Sequence, residues 1–307
     1  MGLRIASNIA SLTAQRNLVT SSENASNSMQ KLSSGYRINK SADDAAGLAI
    51  SEKLKADVRG LYAAKRNTND GISLVQTAEG GLNEVGNILV RLRELAVQGA
   101  SDTVGDKERG FLNKEFGALK DEITRITKST EFNGTMLIVG DQDEIEDSLK
   151  SKSNPYPLEI QVGKNYFADT DGLDKPKSVN TIRIDLQEIN TTLGEKGLNL
   201  GTTAEDGAHV SSKIGSQTSM STLDGAISKV AGFRATLGSI QSRLTSTVSN
   251  LNIAAENATA ANSAIRDTDF AEETAKLAQT QILKQAGISV LSQANQAPQM
   301  ALRLLGG

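Results

Sequence analysis

The amino-acid sequence predicts a mainly α protein: a long antiparallel helical bundle with coiled-coil termini and a small β-hairpin region. Three observations predict it. A heptad stripe runs through the second half from Leu223 to Ile265. The prolines stand only at 155, 157, 176 and 298, so 1–154 and 177–297 are free of the strongest helix breaker. Two short segments in the middle alternate apolar and polar residues with the period of a strand.

Taken in chain order, the first element is an amphipathic helix. Residues 3–34 carry Ile5, Ile9, Leu12 and Val19, then Ala25, Met29 and Leu32. The tail mirrors it with Ala271, Ala275, Ala278, Ile282, Ala286, Val290, Ala294 and Ala297. Both stripes are thinly apolar, with alanine filling much of the seam. Burial yields roughly 25 cal/mol per Å² of apolar area, against about 1–2 kcal/mol per residue for backbone ordering. The ends are therefore expected to be marginal in a lone chain and to order when a partner supplies the second face.

Asp43-Asp44 precedes the next helix, and paired carboxylates there read as caps on its N-terminal dipole rather than as an acid–base pair. That helix carries Leu54, Val58, Leu61, Ile72, Val75 and Leu82 in one register, interrupted at Lys65 and Thr68, and continues through Val85, Leu89 and Leu92. Gly99 to Gly110 reads as a turn region, after which Leu112, Phe116, Leu119, Ile123 and Ile126 form the stripe of an antiparallel partner. Asn133-Gly134 marks a turn.

From about 138 to 215 the composition changes. Three prolines and the acidic run Asp141-Gln142-Asp143-Glu144 fall here. Leu158, Ile160 and Val162 alternate with polar residues, as do Ile182, Ile184 and Leu186, which predicts two half-buried strands joined as a long hairpin. The final stripe sets Leu223, Ile227, Val230, Leu237, Leu244, Val248, Leu251, Ala255, Ala258 and Ile265 on alternating steps of four and three, with Arg234, Gln241 and Asn262 at the remaining positions. A seam this narrow belongs to a coiled-coil-like helix, and a three-helix bundle is the economical way to bury all three stripes.

Composition removes most chemistry. Cys is absent and His209 is the only histidine, so thiol nucleophiles, disulfides, Cys/His zinc sites and the commonest general base are missing. His209 itself is assigned no role. Six Phe, four Tyr and no Trp leave few large anchors for a core or for base stacking, and the net charge of −3 gives no attraction to nucleic acid. Met1 to Asn8 lacks the apolar core of a secretory signal, which taken alone predicts a cytoplasmic protein.

Several stretches resemble the flagellin family in order and spacing. In the first half they are Ser11-Leu12-Thr13-Ala14-Gln15-Arg16-Asn17-Leu18, Leu32-Ser33-Ser34-Gly35-Tyr36-Arg37-Ile38-Asn39 and Ser41-Ala42-Asp43-Asp44-Ala45-Ala46-Gly47-Leu48-Ala49-Ile50. Arg66-Asn67-Thr68-Asn69-Asp70-Gly71, Gln76-Thr77-Ala78-Glu79-Gly80, Arg93-Glu94-Leu95-Ala96-Val97-Gln98 and Glu131-Phe132-Asn133-Gly134 follow. In the tail they are Gln281-Ile282-Leu283-Lys284-Gln285-Ala286-Gly287 and Ser289-Val290-Leu291-Ser292-Gln293-Ala294-Asn295-Gln296.

The resemblance implies a terminal polymerisation domain, 1–44 with 266–307, and an inner helical-bundle domain, 45–265, carrying the hairpin and a variable surface region at about 138–215. Large outer domains have no room, since only about Asn190 to Ser221 is available for them. It implies a non-enzymatic subunit of the bacterial flagellar filament for motility, exported without a cleavable signal peptide to an extracellular position. Its implied partners are further copies of itself, a flagellar export chaperone, the type III export apparatus, filament cap and junction proteins, and host innate receptors. Nucleic acid, membrane, metal and cofactors are not implied.

Family positions read by a Toll-like innate receptor fall on Arg91, Leu95 and Glu115; the competing reading makes the two charges solvated and Leu95 core packing. Leu302, Leu304 and Leu305 match tail leucines available for packing, a chaperone or an intracellular sensor, although Ala301, Arg303 and Gly306 depart from the common motif. Two structural rivals are a hook–filament junction subunit, disfavoured by residues 281–296, and a soluble coiled-coil adaptor. A metallopeptidase insertion needs two histidines on one helix face, which this chain lacks.

Overall fold

A computed structural model describes residues 8–140, 157–165, 180–194, 196–201 and 207–305, with side chains to residue 296. The elements are α1 (Ile9–Ser34), α2 (Ala45–Gly99), α3 (Asp106–Ser129), β1 (Glu131–Phe132), β2 (Thr135–Met136), β3 (Leu158–Gln161), β4 (Thr181–Ile184), α4 (Lys213–Arg266) and α5 (Phe270–Leu305). The mainly α bundle with a small hairpin region is the architecture that the heptads predict. The chain forms two units, Met1–Val58 with Glu256–Gly307, and Arg59–Ala255.

In the inner unit, α3 and α4 both run antiparallel to α2. Arg93 pairs with Asp224 at 2.6 Å and Lys213 with Asp102 at 2.7 Å, so α4 enters the bundle where α2 leaves it. The seam is filled by the predicted large side chains: Val75, Leu82, Val85, Leu89 and Leu92 of α2, Phe116 and Ile123 of α3, and Leu223, Val230, Leu237 and Leu244 of α4. Ala226 and Ile240 join them from beside the predicted register. Thr68, which interrupts the apolar stripe of α2, is fully buried, and its hydroxyl donates to the Ala64 carbonyl at 2.7 Å. A threonine satisfied by its own helix holds a seam position without leaving an unmet polar group.

Leu112, Leu119 and Ile126 of α3 are partly buried against the same core. After it, Asn133 and Gly134 take φ of 51° and 77°, the left-handed pair required by a two-residue hairpin turn between β1 and β2. Pairing in that hairpin is Phe132 with Thr135. Sequence reading found the turn but not these two short strands.

The larger hairpin pairs Leu158 with Ile184 and Ile160 with Ile182, in antiparallel register, as the alternation predicts. Ile182 and Ile184 are buried while Arg183, on the other face, pairs with Glu159 at 2.7 Å. The hairpin lies across α2 where that helix has no side chain: a Cβ at Gly71 would overlap Ile160 Cδ1. The link between the two strands lies outside the described residues, as does the acidic run at 141–144.

Part of the 138–215 region is core. Ile138, Leu186, Ile189, Leu193, Leu198, Leu200, Ala208 and Val210 are buried with the helices. A polar network fastens it, in which Thr191 Oγ1 donates to the Ile138 carbonyl at 2.8 Å and lies 2.9 Å from Thr127 Oγ1 on α3. Fully satisfied networks of this kind fix one packing arrangement.

Candidate assembly surface and recognition cluster

The terminal unit is organised around α1 and α5, which pack on each other. On α1 the face turned inward is Ser11, Ala14, Leu18, Ala25, Ser28 and Leu32, a heptad of mostly small residues. On α5 it is Glu273, Leu277, Thr280, Gly287, Leu291 and Ala294. A Cβ at Gly287 would stand 3.2 Å from Leu18 Cδ1, so Leu18 of α1 packs onto the bare backbone of α5 there.

This corrects the seam read from the sequence. Ile9, Leu12, Val19 and Met29 of α1 and Ile282 and Val290 of α5 are more than half exposed, and Ala271, Ala275, Ala278 and Ala286 are also exposed. Ala25, Leu32 and Ala294 do face inward in part, while Ile5 and the Ala297 side chain fall outside the described residues. Small side chains permit close approach and leave room for a few leucines, and the remaining large apolar residues do not fit in the seam. They are left facing outward, together with Phe270, Leu283 and Ile288.

A joint within the same unit ties the ends of these helices to α2 and α4. Gly35, at φ 74°, closes α1 in the left-handed conformation and donates to the Lys31 carbonyl. The Arg37 amide then donates to the Arg266 carbonyl at 2.7 Å, and the Thr268 amide to the Gly35 carbonyl at 3.0 Å. The Arg266 guanidinium lies 4.6 Å from the centre of the Tyr36 ring and 2.6 Å from Glu52. That guanidinium, with help from Lys55, holds the Glu52 carboxyl below its ordinary value.

Asp43 and Asp44 cap as expected. Asp44 Oδ1 accepts from the Gly47 amide at 2.8 Å at the start of α2. Asp43 accepts from the Lys40 and Asn39 amides at 2.9 and 3.0 Å, and those two bonds hold its carboxyl low. Asp269 caps α5 through the Ala271 and Glu272 amides.

In the inner unit, the structure brings Arg91 and Glu115 together across α2 and α3. Arg91 Nη2 and Nε donate to Glu115 Oε1 at 2.8 and 3.1 Å, and Nη1 donates to Glu94 at 3.0 Å. Both carboxylates raise the guanidinium above its ordinary value, Glu115 foremost. Leu95 does not join that surface: it is 1% exposed and packs in the core, as the competing reading had it. Leu302, Leu304 and Leu305 lie on the last turns of α5, with side chains outside the described residues.

Two residues escaped sequence reading. Arg109 is buried and spans the α2–α3 turn, donating to the Gly99 and Ser101 carbonyls and to Asp106, each at 2.9 Å. Lys120 is buried as well, with its ammonium 3.4 Å from the Ala208 carbonyl. A helical arginine at position 109 gives no sign in the sequence that it caps the preceding helix. His209 holds a loop, with Nδ1 3.0 Å from the Gly207 carbonyl and its backbone bonded to the Ser219 hydroxyl.

Among the described residues no helix is long and apolar enough to cross a membrane, and no three His, Cys, Asp or Glu residues gather to hold a metal ion.

Residues 5–143 match the bacterial flagellin N-terminal helical region and 220–305 the bacterial flagellin C-terminal helical region. The chain is 41% identical to a flagellin of Halalkalibacterium halodurans, over 97% of this chain and 98% of that protein. It is 39% identical to a flagellin of Bacillus subtilis strain 168, over 99% of this chain and all of the other. Flagellin D of Vibrio cholerae aligns over 377 positions at 36% identity, covering both chains fully. A crystal structure of Bacillus cereus flagellin is 29% identical and covers 61% of this chain and 88% of its own, with a TM-score of 0.45. Terminal helical matches in the right order, and relatives aligned end to end, show that the chain belongs to the bacterial flagellin family, as a short-form structural subunit of the extracellular flagellar filament.

Proposed function

We propose that the segments 1–44 and 266–307 form the polymerisation domain of this filament subunit, and that 45–265 form an inner domain that folds without neighbours. The observation that carries this reading is the outward set Ile9, Leu12, Val19, Ile282, Leu283 and Val290 on a helix pair whose mutual seam is small. A filament grows when one patch meets a different patch on the next subunit without closing, and these side chains supply such a patch. Ordering the terminal pair on docking moves its entropic cost to assembly, which keeps the free subunit soluble.

The subunit is exported through a type III apparatus without a cleavable signal, and an export chaperone covers the tail around Leu302, Leu304 and Leu305 until then. The growing filament meets junction proteins at its base and a cap at its tip. The exposed Arg91–Glu115 pair is the part of the recognition trio available to a host innate receptor; Leu95 supports it from beneath. The protein has no enzymatic role.

Seeded polymerisation tests the core of this reading. Full-length chain should elongate seeds and gain helix by circular dichroism, while a chain lacking 1–44 and 266–307 should stay a folded monomer. Elongation by the truncated chain would refute the assignment.

A further inference from the structure

We infer that Asn8 is a positioning residue that sets the axial register of α1 against α5, by supplying the hydrogen bond that Pro298 withholds from its own helix. This rests on the reading that the terminal pair carries polymerisation.

α5 continues through Pro298. Proline has no amide hydrogen, so the carbonyl four residues earlier, that of Ala294, has no helical donor from that position. Asn8 Nδ2 donates to this carbonyl at 2.8 Å, across 286 positions of sequence. The other end of the same carboxamide is also used: Asn8 Oδ1 accepts from the Ser11 amide at 3.1 Å, capping α1. The two partners fix the amide's orientation, since the flipped form would set oxygen against a carbonyl and nitrogen against an N–H. One residue thus satisfies one orphan donor of one helix and an orphan acceptor of the other.

The clasp is specific because it has one place to form. The seam between α1 and α5 sets small residues and the leucines Leu18, Leu32, Leu277 and Leu291 at heptad spacing, and a pattern that repeats every three or four residues specifies its register weakly. A carbonyl freed by proline occurs once in α5. A slip that preserved the small-residue packing would separate Asn8 from it, and would also break the bond from Ser11 Oγ to Asn295 Oδ1 at 2.9 Å. The register so fixed determines which outward side chains of α1 and α5 stand side by side on the assembly surface.

The test is a double-mutant cycle read as the critical concentration for seeded elongation of the full chain. Asn8→Ser keeps a cap for α1 but is too short to serve both partners. Pro298→Ala returns the amide hydrogen to α5, so that Ala294 no longer needs an outside donor. Asn8→Ser should raise the critical concentration roughly two- to tenfold in the native background, the worth of one hydrogen bond. It should change it less than about twofold in the Pro298→Ala background, where the carbonyl has a helical donor again. Asn8→Asp, which retains the cap and loses the donor, should follow the same pattern, and Pro298→Gln replaces Pro298→Ala if the latter does not assemble. Equal cost in both backgrounds, or no cost in either, overturns the assignment. Elongation by a chain lacking 1–44 and 266–307 would instead sink the polymerisation reading beneath it.

Discussion

The inner bundle and the terminal pair use the same helical period in opposite ways. In the bundle, Leu82, Leu89, Phe116, Leu223 and Leu237 point inward and are fully buried, and charged residues such as Arg91 and Arg93 lie outside. In the terminal pair the small residues Ala14, Ser28 and Thr280 point inward, and Ile9, Leu12, Ile282 and Val290 face out. Stability of the first is internal to the chain. The second leaves its larger apolar side chains exposed, and on the proposed assembly a neighbouring subunit covers them, so that a subunit could fold alone and yet be incomplete.

Substitutions should separate the two regions. The largest effect is expected in the bundle: Phe116→Ala removes a fully buried ring and should cost about 3–5 kcal/mol of unfolding free energy, measured by urea denaturation of the free subunit. Next, Arg109→Ala leaves the Gly99 and Ser101 carbonyls without their donor and should cost about 2–3 kcal/mol in the same titration.

The sign of the comparison reverses in the terminal pair. Ile282→Ser should leave the urea midpoint of the free subunit unchanged while weakening assembly by about 1.5–3 kcal/mol, the worth of burying one such side chain, seen as a higher critical concentration. A matching loss in the urea midpoint would place Ile282 in a fold-stabilising contact instead.

Acid should produce the smallest effect. Glu52 and Asp43 carry carboxyls held low, by Arg266 and by backbone amides respectively, so their contribution is complete above the ordinary values near 4.5 and 3.8. It is lost as pH falls through the lower folded values, because the unfolded chain takes up protons first. Filament stability should therefore be flat at higher pH and decline below about pH 4, and Glu52→Gln should make that decline shallower in a depolymerisation assay against pH.

Much of the bundle was legible because burial inside one chain leaves a pattern within one chain. The stripes through Leu82 and Leu89, Phe116 and Ile123, and Leu223 to Leu244 name their own seam. The Asn133-Gly134 turn was legible for a local reason, since few other pairs tolerate φ of 51° and 77° in succession. The terminal pair misled for a physical reason: a helical wheel finds where large apolar residues lie, not whether the surface they meet belongs to the same molecule. The face that does form the seam mixes Ser, Ala, Thr and Gly with a few leucines, and its small polar positions look solvated. Arg109 and the Thr127–Thr191 pair were illegible because their roles depend on contacts that sequence spacing does not encode, 64 positions apart in the second case. Of the three candidate recognition residues, Arg91 and Glu115 meet as an exposed pair, while Leu95, one helical turn from Arg91, lies in the core.

Amide hydrogen exchange on the same full-length chain, free and assembled, tests the central contrast most directly. Amides of α2, α3 and α4 in the inner unit should be protected in both states, and those of α1 and α5 should exchange rapidly in the free subunit and slowly in the filament. Equal protection of α1 and α5 in the free subunit would show a terminal pair that is stable by itself, and would contradict the account.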